Sequence, residues 1–216
     1  MNIETFLHKR FTKKLDISRI KKYCAHLRMD KVRANDKGQK ILRVSCVQRK
    51  IRLVRNVEEY IDMMYGFVRQ AAQNNSEVVI FPEYNFFDLF GLIPGLRMLS
   101  KYLSKSASPK NKSTGASETG GGYALISSVF NAISEPVEKC LLEIMSALAE
   151  GFGIYIYTGS YILRERGAIY NVGSLFGPDG RCMGTQKKLH LTHDEEKMGI
   201  RRGDQLNVYA INDIRI

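Results

Sequence analysis

The sequence has no apolar run near the roughly 18 residues a membrane span requires, and its start, Met1-Asn2-Ile3-Glu4, lacks the apolar core of a secretory signal. A cytoplasmic chain without membrane attachment is expected. Cysteine is sparse: Cys24, Cys46, Cys140 and Cys182 lie far apart with no paired spacing, which argues against a disulfide framework or a thiolate zinc site. All four are expected to stay reduced. Gly120-Gly121-Gly122 is not followed by Gly-Lys-Ser or Gly-Lys-Thr, so these glycines do not form a phosphate cradle. Acidic residues are scarce at one end. Residues 1–40 carry four of them against 12 Lys or Arg, which puts +8 of the net charge of +11 in that segment and little in the remainder.

What is present suits a globular α/β chain: 216 residues, 44% of them apolar, enough for one domain or one and a half. Ile3, Phe6, Leu7, Phe11, Leu15, Ile20, Cys24 and Leu27 recur at mostly helical spacing with basic residues between them, which predicts one or two amphipathic helices over residues 3–29 within a basic arm of residues 1–40. This basic arm is a candidate contact surface, or a solvated helical arm packed on its own domain or on a partner subunit. No nucleic-acid motif accompanies it, so a nucleic-acid partner is not expected. Ala34-Asn35-Asp36-Lys37-Gly38 reads as a turn or hinge. A strand follows over 41–47, then Asn56 as a helix cap and a helical stripe of Val57, Tyr60, Ile61, Met64, Val68, Ala71 and Ala72. Asn74-Asn75-Ser76 stops that helix, and the chain enters Val78-Val79-Ile80, completing a strand–helix–strand unit.

Residues 104–122 are Ser, Lys, Gly and Thr with almost no apolar side chain, and are expected to be a flexible insertion. Helical spacing resumes at Val137, Cys140, Leu141, Ile144 and Leu148 and stops at Gly151 and Gly153. Three strands are predicted next, over 153–163, 168–176 and 181–187, the last two joined by a tight turn at Pro178-Asp179-Gly180. His190 and His193, with the acids after them, read more simply as a polar loop than as a metal site.

The stretch that organises the chain is Phe81-Pro82-Glu83. A short buried strand ends at Pro82, which removes a ladder donor, and leaves Glu83 at the strand mouth ahead of Tyr84-Asn85-Phe86-Phe87. Partial desolvation there would raise its pKa toward that of a proton acceptor. In order along the chain come Val47-Gln48, Phe81-Pro82-Glu83, Gly159-Ser160, Tyr170-Asn171, Pro178-Asp179-Gly180 and Lys188-Leu189-His190-Leu191. Together they resemble the nitrilase, or carbon-nitrogen hydrolase, superfamily over residues 41–216. The resemblance implies a four-layer α-β-β-α sandwich, often paired with a second copy through a helix face. It implies hydrolysis of non-peptide C–N bonds in a small amide or nitrile, without metal or organic cofactor. Glu83 would be the general base, Lys188 the cation facing the oxyanion, and Glu196 a second carboxylate that positions lysine and substrate. Lys187 would be a solvated neighbour and His190 a packing residue.

The family's nucleophilic cysteine belongs in a strand beyond Gly203-Asp204, and none of the four cysteines matches that place. Cys182, in a predicted strand, is the best substitute and a poor one. The expectation is therefore a fold incomplete at its C-terminus: a partial carbon-nitrogen hydrolase domain over 41–216 behind the basic arm. The alternative is a catalytically inactive, truncated domain that acts only in association or binding through that arm.

Overall fold

The computed structural model describes residues 3–32, 41–96, 120–211 and 214–215. The predicted hinge at Ala34–Gly38 and the 104–119 part of the predicted insertion lie outside these residues. The elements are α1 (Ile3–Lys14), α2 (Ile17–Ala25), β1 (Val44–Cys46), α3 (Val57–Gln73), β2 (Val78–Ile80), a 3-10 turn (Phe87–Leu92), α4 (Gly120–Phe152), β3 (Tyr155–Glu165), β4 (Ala168–Phe176), β5 (Cys182–Lys187), α5 (His193–Lys197), β6 (Ile200–Arg201), β7 (Ala210–Ile211) and β8 (Ile214–Arg215).

The predicted strand–helix–strand unit is present: β1 and β2 pair in parallel across α3. Asn56 caps α3 by accepting from the Glu59 amide at 2.9 Å, and Val57, Tyr60, Ile61, Met64, Val68 and Ala71 are all buried. The sheet runs β1-β2-β3-β4-β5, and β6 joins β4 near its start, beside Ile169 and Tyr170, where β5 does not reach. Strand alternation divides the sheet into two faces. Val79, Ile156, Val172 and Phe176 enter the main core, shared with α1–α4. Val78 and Leu175 form a small second cluster with Ile211, Tyr155, Tyr157 and Tyr209. Val44 and Ile80, on that second face, stay exposed. Among the described residues the second layer of strands is only the β7–β8 pair.

The basic arm is folded onto this core. Leu7, Phe11, Leu15, Ile20 and Cys24 are buried, while Phe6, expected in the same stripe, is 39% exposed. Ion pairs Arg19–Glu58 and Lys21–Glu143 tie α2 to α3 and α4.

Helix α4 departs from expectation at its start. Gly120–Gly122, placed in the flexible insertion by composition, already belong to it, and it continues through Pro136. Proline has no amide hydrogen, so the carbonyl four residues earlier, on Ala132, loses its helical donor. His8 of α1 replaces it: its Nδ1 lies 3.1 Å from the Ala132 oxygen. A carbonyl can only accept, so this nitrogen carries the proton. His8→Ala is expected to lower unfolding free energy by about 1 kcal/mol in a urea titration, the cost of an unpaired, partly buried carbonyl.

Candidate active site

The site is built where β2 and β5 end, beside the start of the antiparallel β4. Pro82 ends the β2 segment, and the next turn is held against β3. The Tyr84 amide donates to Ser160 Oγ at 2.9 Å, the Asn85 amide to the Ser160 carbonyl at 3.0 Å, and the Ser160 amide to the Pro82 carbonyl at 3.3 Å. Gly159 permits this approach: it has φ +70°, and a Cβ there would sit 2.0 Å from the Pro82 oxygen. Tyr84 adopts φ +53°, a left-handed backbone rare for an aromatic residue and common where a site needs a side chain aimed.

Behind this turn lies a buried polar network that sequence reasoning missed. Arg49 Nη2 donates to the Asn85 carbonyl and Oδ1, each at 2.8 Å, and to Asp88 Oδ2 at 2.5 Å; the Arg49 and Asp88 side chains are 5% and 0% exposed. Asn85 Nδ2 donates to the Thr158 carbonyl at 3.1 Å. The turn is thus fastened from both sides. The signal available was a charged residue, Asp88, inside the apolar run Phe86–Leu92, since a carboxylate buried there needs a cationic partner.

Lysines 187 and 188 are adjacent at the end of β5 and so face opposite ways. Lys187 lies opposite Val172 in the β4–β5 register; it pairs with Glu165 and sits over the Tyr170 ring, so it is not simply solvated. Lys188 shares the Asn171 face, its amide donating to the Asn171 carbonyl at 2.8 Å and its carbonyl accepting from Gly203 at 2.8 Å. From there Lys188 Nζ reaches Glu83 Oε1 at 2.7 Å and Glu195 Oε2 at 2.8 Å.

The carboxylate that meets Lys188 beside Glu83 is Glu195, and not the expected Glu196. Helix α5 starts with a capping box in Thr192-His193-Asp194-Glu195: Thr192 Oγ1 accepts from the Glu195 amide, and Glu195 Oε2 accepts from the Thr192 amide at 2.8 Å. This turns Glu195 back over β4. Glu196, one step round the helix, is exposed and pairs with Arg202. The Thr-x-x-Glu spacing was the overlooked signal. His190 and His193 are both exposed, and among the described residues no His, Cys, Asp or Glu cluster could hold a metal ion.

The two carboxylates around Lys188 differ sharply. Glu195, 4% exposed, accepts from Tyr84 Oη at 2.5 Å, Asn171 Nδ2 at 2.8 Å, Lys188, and the Thr192 amide and hydroxyl. Burial opposes its charge, but the hydrogen bonds from Lys188, Tyr84, the Thr192 backbone and Asn171 prevail and bring its pKa down to about 2. Glu83 is 49% exposed, more than its aromatic neighbours suggest. Both of its donors, Lys188 at 2.7 Å and Asn171 at 2.8 Å, reach the same oxygen, Oε1. No described residue donates to Oε2. For Lys188, burial works against the charge, but Glu195 and Glu83 outweigh it and raise the ammonium above its ordinary value. Burial, together with its bond to Glu195, pushes the Tyr84 hydroxyl upward, which leaves it a neutral donor.

None of the four cysteines hydrogen-bonds to this cluster among the described residues. Cys24 and Cys140 are buried, and burial pushes the Cys24 thiol up to about 11 and raises that of Cys140 as well. Cys182 is exposed at the other end of β5, six residues or roughly 20 Å along the strand from Lys188.

A family model described as carbon-nitrogen hydrolase matches residues 43–216, and the chain belongs to that family. It is 26% identical to a probable hydrolase of Bacillus subtilis, YhcX, over 169 residues, 78% of this chain and 27% of that protein. An omega-amidase of Xenopus laevis is 39% identical over 62 residues, 29% of this chain and 22% of its own length. The matches thus span about a quarter of the curated relatives. Among solved structures, an amidase from Nesterenkonia sp. AN1 in complex with acrylamide superposes with a TM-score of 0.55 at 15% identity, over 84% of this chain and 56% of that one. The same amidase in complex with butyramide gives 0.54 at 16% identity, over 81% and 53%. At these identities the likeness establishes the fold alone. Among the described residues no helix is long and apolar enough to cross a membrane.

Proposed function

We propose that this domain supplies the base and the cation of an amide-hydrolysing site, with the attacking thiol contributed by sequence beyond Ile216. The observation that carries this reading is the unequal pair of carboxylates around Lys188. A saturated, buried carboxylate stays ionised, whereas one with an unengaged oxygen at an accessible position can take a proton. Glu83 Oε2 accepts the thiol proton as sulfur attacks the amide carbonyl. Lys188 has three donor hydrogens, two of them used by Glu83 and Glu195; the third faces the developing oxyanion. Collapse of the tetrahedral intermediate breaks the C–N bond, and protonated Glu83 delivers its proton to the departing amine. Water then attacks the thioester with Glu83 again as base, releasing the acid and restoring the thiol. Glu195 holds Lys188 in place and charged throughout.

Relatives described as an omega-amidase and an amidase holding acrylamide or butyramide support a small linear amide as the substrate class. A cytoplasmic oligomer acting without cofactor belongs to the same proposal. The test is ammonia release from short linear amides by the full-length gene product. Lys188→Met is expected to lower kcat about 100-fold, the scale of losing one oxyanion donor. No release from any amide of the panel by the unmodified enzyme would overturn the reading.

A further inference from the structure

We infer that Asn171 is a positioning residue that, with Lys188, holds the plane of the Glu83 carboxylate and so leaves the Oε2 position as the one that takes the proton. The inference rests on the reading of Glu83 as the base.

Asn171 lies on β4, opposite Lys188 on the neighbouring strand, and is 1% exposed. Its Nδ2 spends both hydrogens on carboxylates, 2.8 Å to Glu83 Oε1 and 2.8 Å to Glu195 Oε1. An ionised carboxylate only accepts, so the amide orientation is unambiguous and the other end of the side chain is Oδ1. Oδ1 is buried with no hydrogen-bond partner among the described residues. A buried acceptor left unpaired costs about 1–3 kcal/mol. Leucine would fill similar space without that cost, and aspartate would place a third carboxylate against two. The asparagine is therefore kept for its two donors.

Those donors act on two groups that would otherwise rearrange. The terminal torsion of a glutamate is broad, so the plane of its carboxylate swings readily unless something holds it. Asn171 and Lys188 both bind the oxygen at the Oε1 position, and a quarter-turn of the carboxylate would break two charge-assisted hydrogen bonds at once, so the pair fixes its plane. The same amide clamps Glu83 and Glu195 at a fixed separation around one ammonium. The other ionisable groups around Glu83 are the Tyr84 and Tyr157 hydroxyls, and neither donates to it.

The test follows the carboxyl carbons of Glu83 and Glu195 by NMR in 13C-glutamate-labelled protein, unmodified and carrying Asn171→Leu, with Asn171→Ser as the variant that cannot overpack. Loss of a donor to the ionised form raises a carboxyl midpoint. Both midpoints are expected to rise by about one pH unit in either variant, with resonances remote from the site unchanged. In the full-length enzyme the acid limb of kcat/KM should move up in step, with KM little altered. Midpoints that stay in place, or a rise at Glu195 alone, would overturn the assignment. A rise at both in a protein that hydrolyses no amide would instead remove the amidase reading and leave the clamp standing.

Discussion

Glu83→Gln in the full-length gene product is expected to lower kcat/KM toward a short linear amide by about 1,000-fold, the middle of the range for a general base. Gln retains the length and shape of Glu83 and can keep a carbonyl oxygen opposite Asn171 and Lys188, so binding of the lysine is largely preserved. What it loses is the acceptor that takes the thiol proton, because the group now at the Oε2 position is an NH₂. The loss should fall mainly on kcat, since the ground-state contacts survive. Measuring initial rates of ammonia release across substrate concentration separates the two constants. A variant within tenfold of the unmodified enzyme would remove Glu83 from the proton path.

The largest stability effect is expected at Glu195. Its carboxylate is 4% exposed and holds five hydrogen bonds. Glu195→Gln sets an NH₂ against donors it cannot accept and leaves Lys188 with only half-exposed Glu83, which should cost about 3 kcal/mol of unfolding free energy. The pH dependence carries the signature. The folded pKa of about 2 lies below the ordinary 4.5, so the native state stabilises the ionised form. That contribution is complete above pH 4.5, declines as the pH falls, and is gone below about 2. The raised pKa of Lys188 describes the same contact from the other side: it too is lost, but as pH rises past the ordinary 10.5 of the ammonium, and the two are not added. Urea unfolding of both proteins from pH 2 to 7 should show curves that converge at the acid end. A constant offset down to pH 2 would contradict the assignment.

Much of the scaffold was legible because its signals are local. The α3 stripe from Val57 to Ala71 repeats at helical period behind a capping asparagine, and Val78–Pro82 reads as a strand stopped by proline. The choice between Lys187 and Lys188 agrees with a period of two, which puts only one of them on the Asn171 face. What failed depended on distant partners or on helix phase. Helix α4 starts well before the stripe that begins at Val137 and runs through Pro136, and the Ala132 carbonyl that this proline orphans is met by His8, 124 residues away in sequence. Glu195 and Glu196 are indistinguishable by spacing from Lys188, and only the cap at Thr192 sets which one turns inward. Asn171 stood out in its Tyr-Asn pair, but its link to Glu83 crosses 88 residues and no local pattern reports it. Asp88 in its apolar run marked the need for a cation, but nothing local pointed to Arg49, 39 residues away.

The most direct test of the central claim, that Glu83 activates a thiol outside the four cysteines of this sequence, is peptide mapping of the full-length gene product during alkylation by acrylamide. The expected result is one fast-reacting cysteine that is none of Cys24, Cys46, Cys140 and Cys182, and whose rate falls strongly in Glu83→Gln. Fastest labelling at one of those four, or a rate indifferent to Glu83, would contradict it.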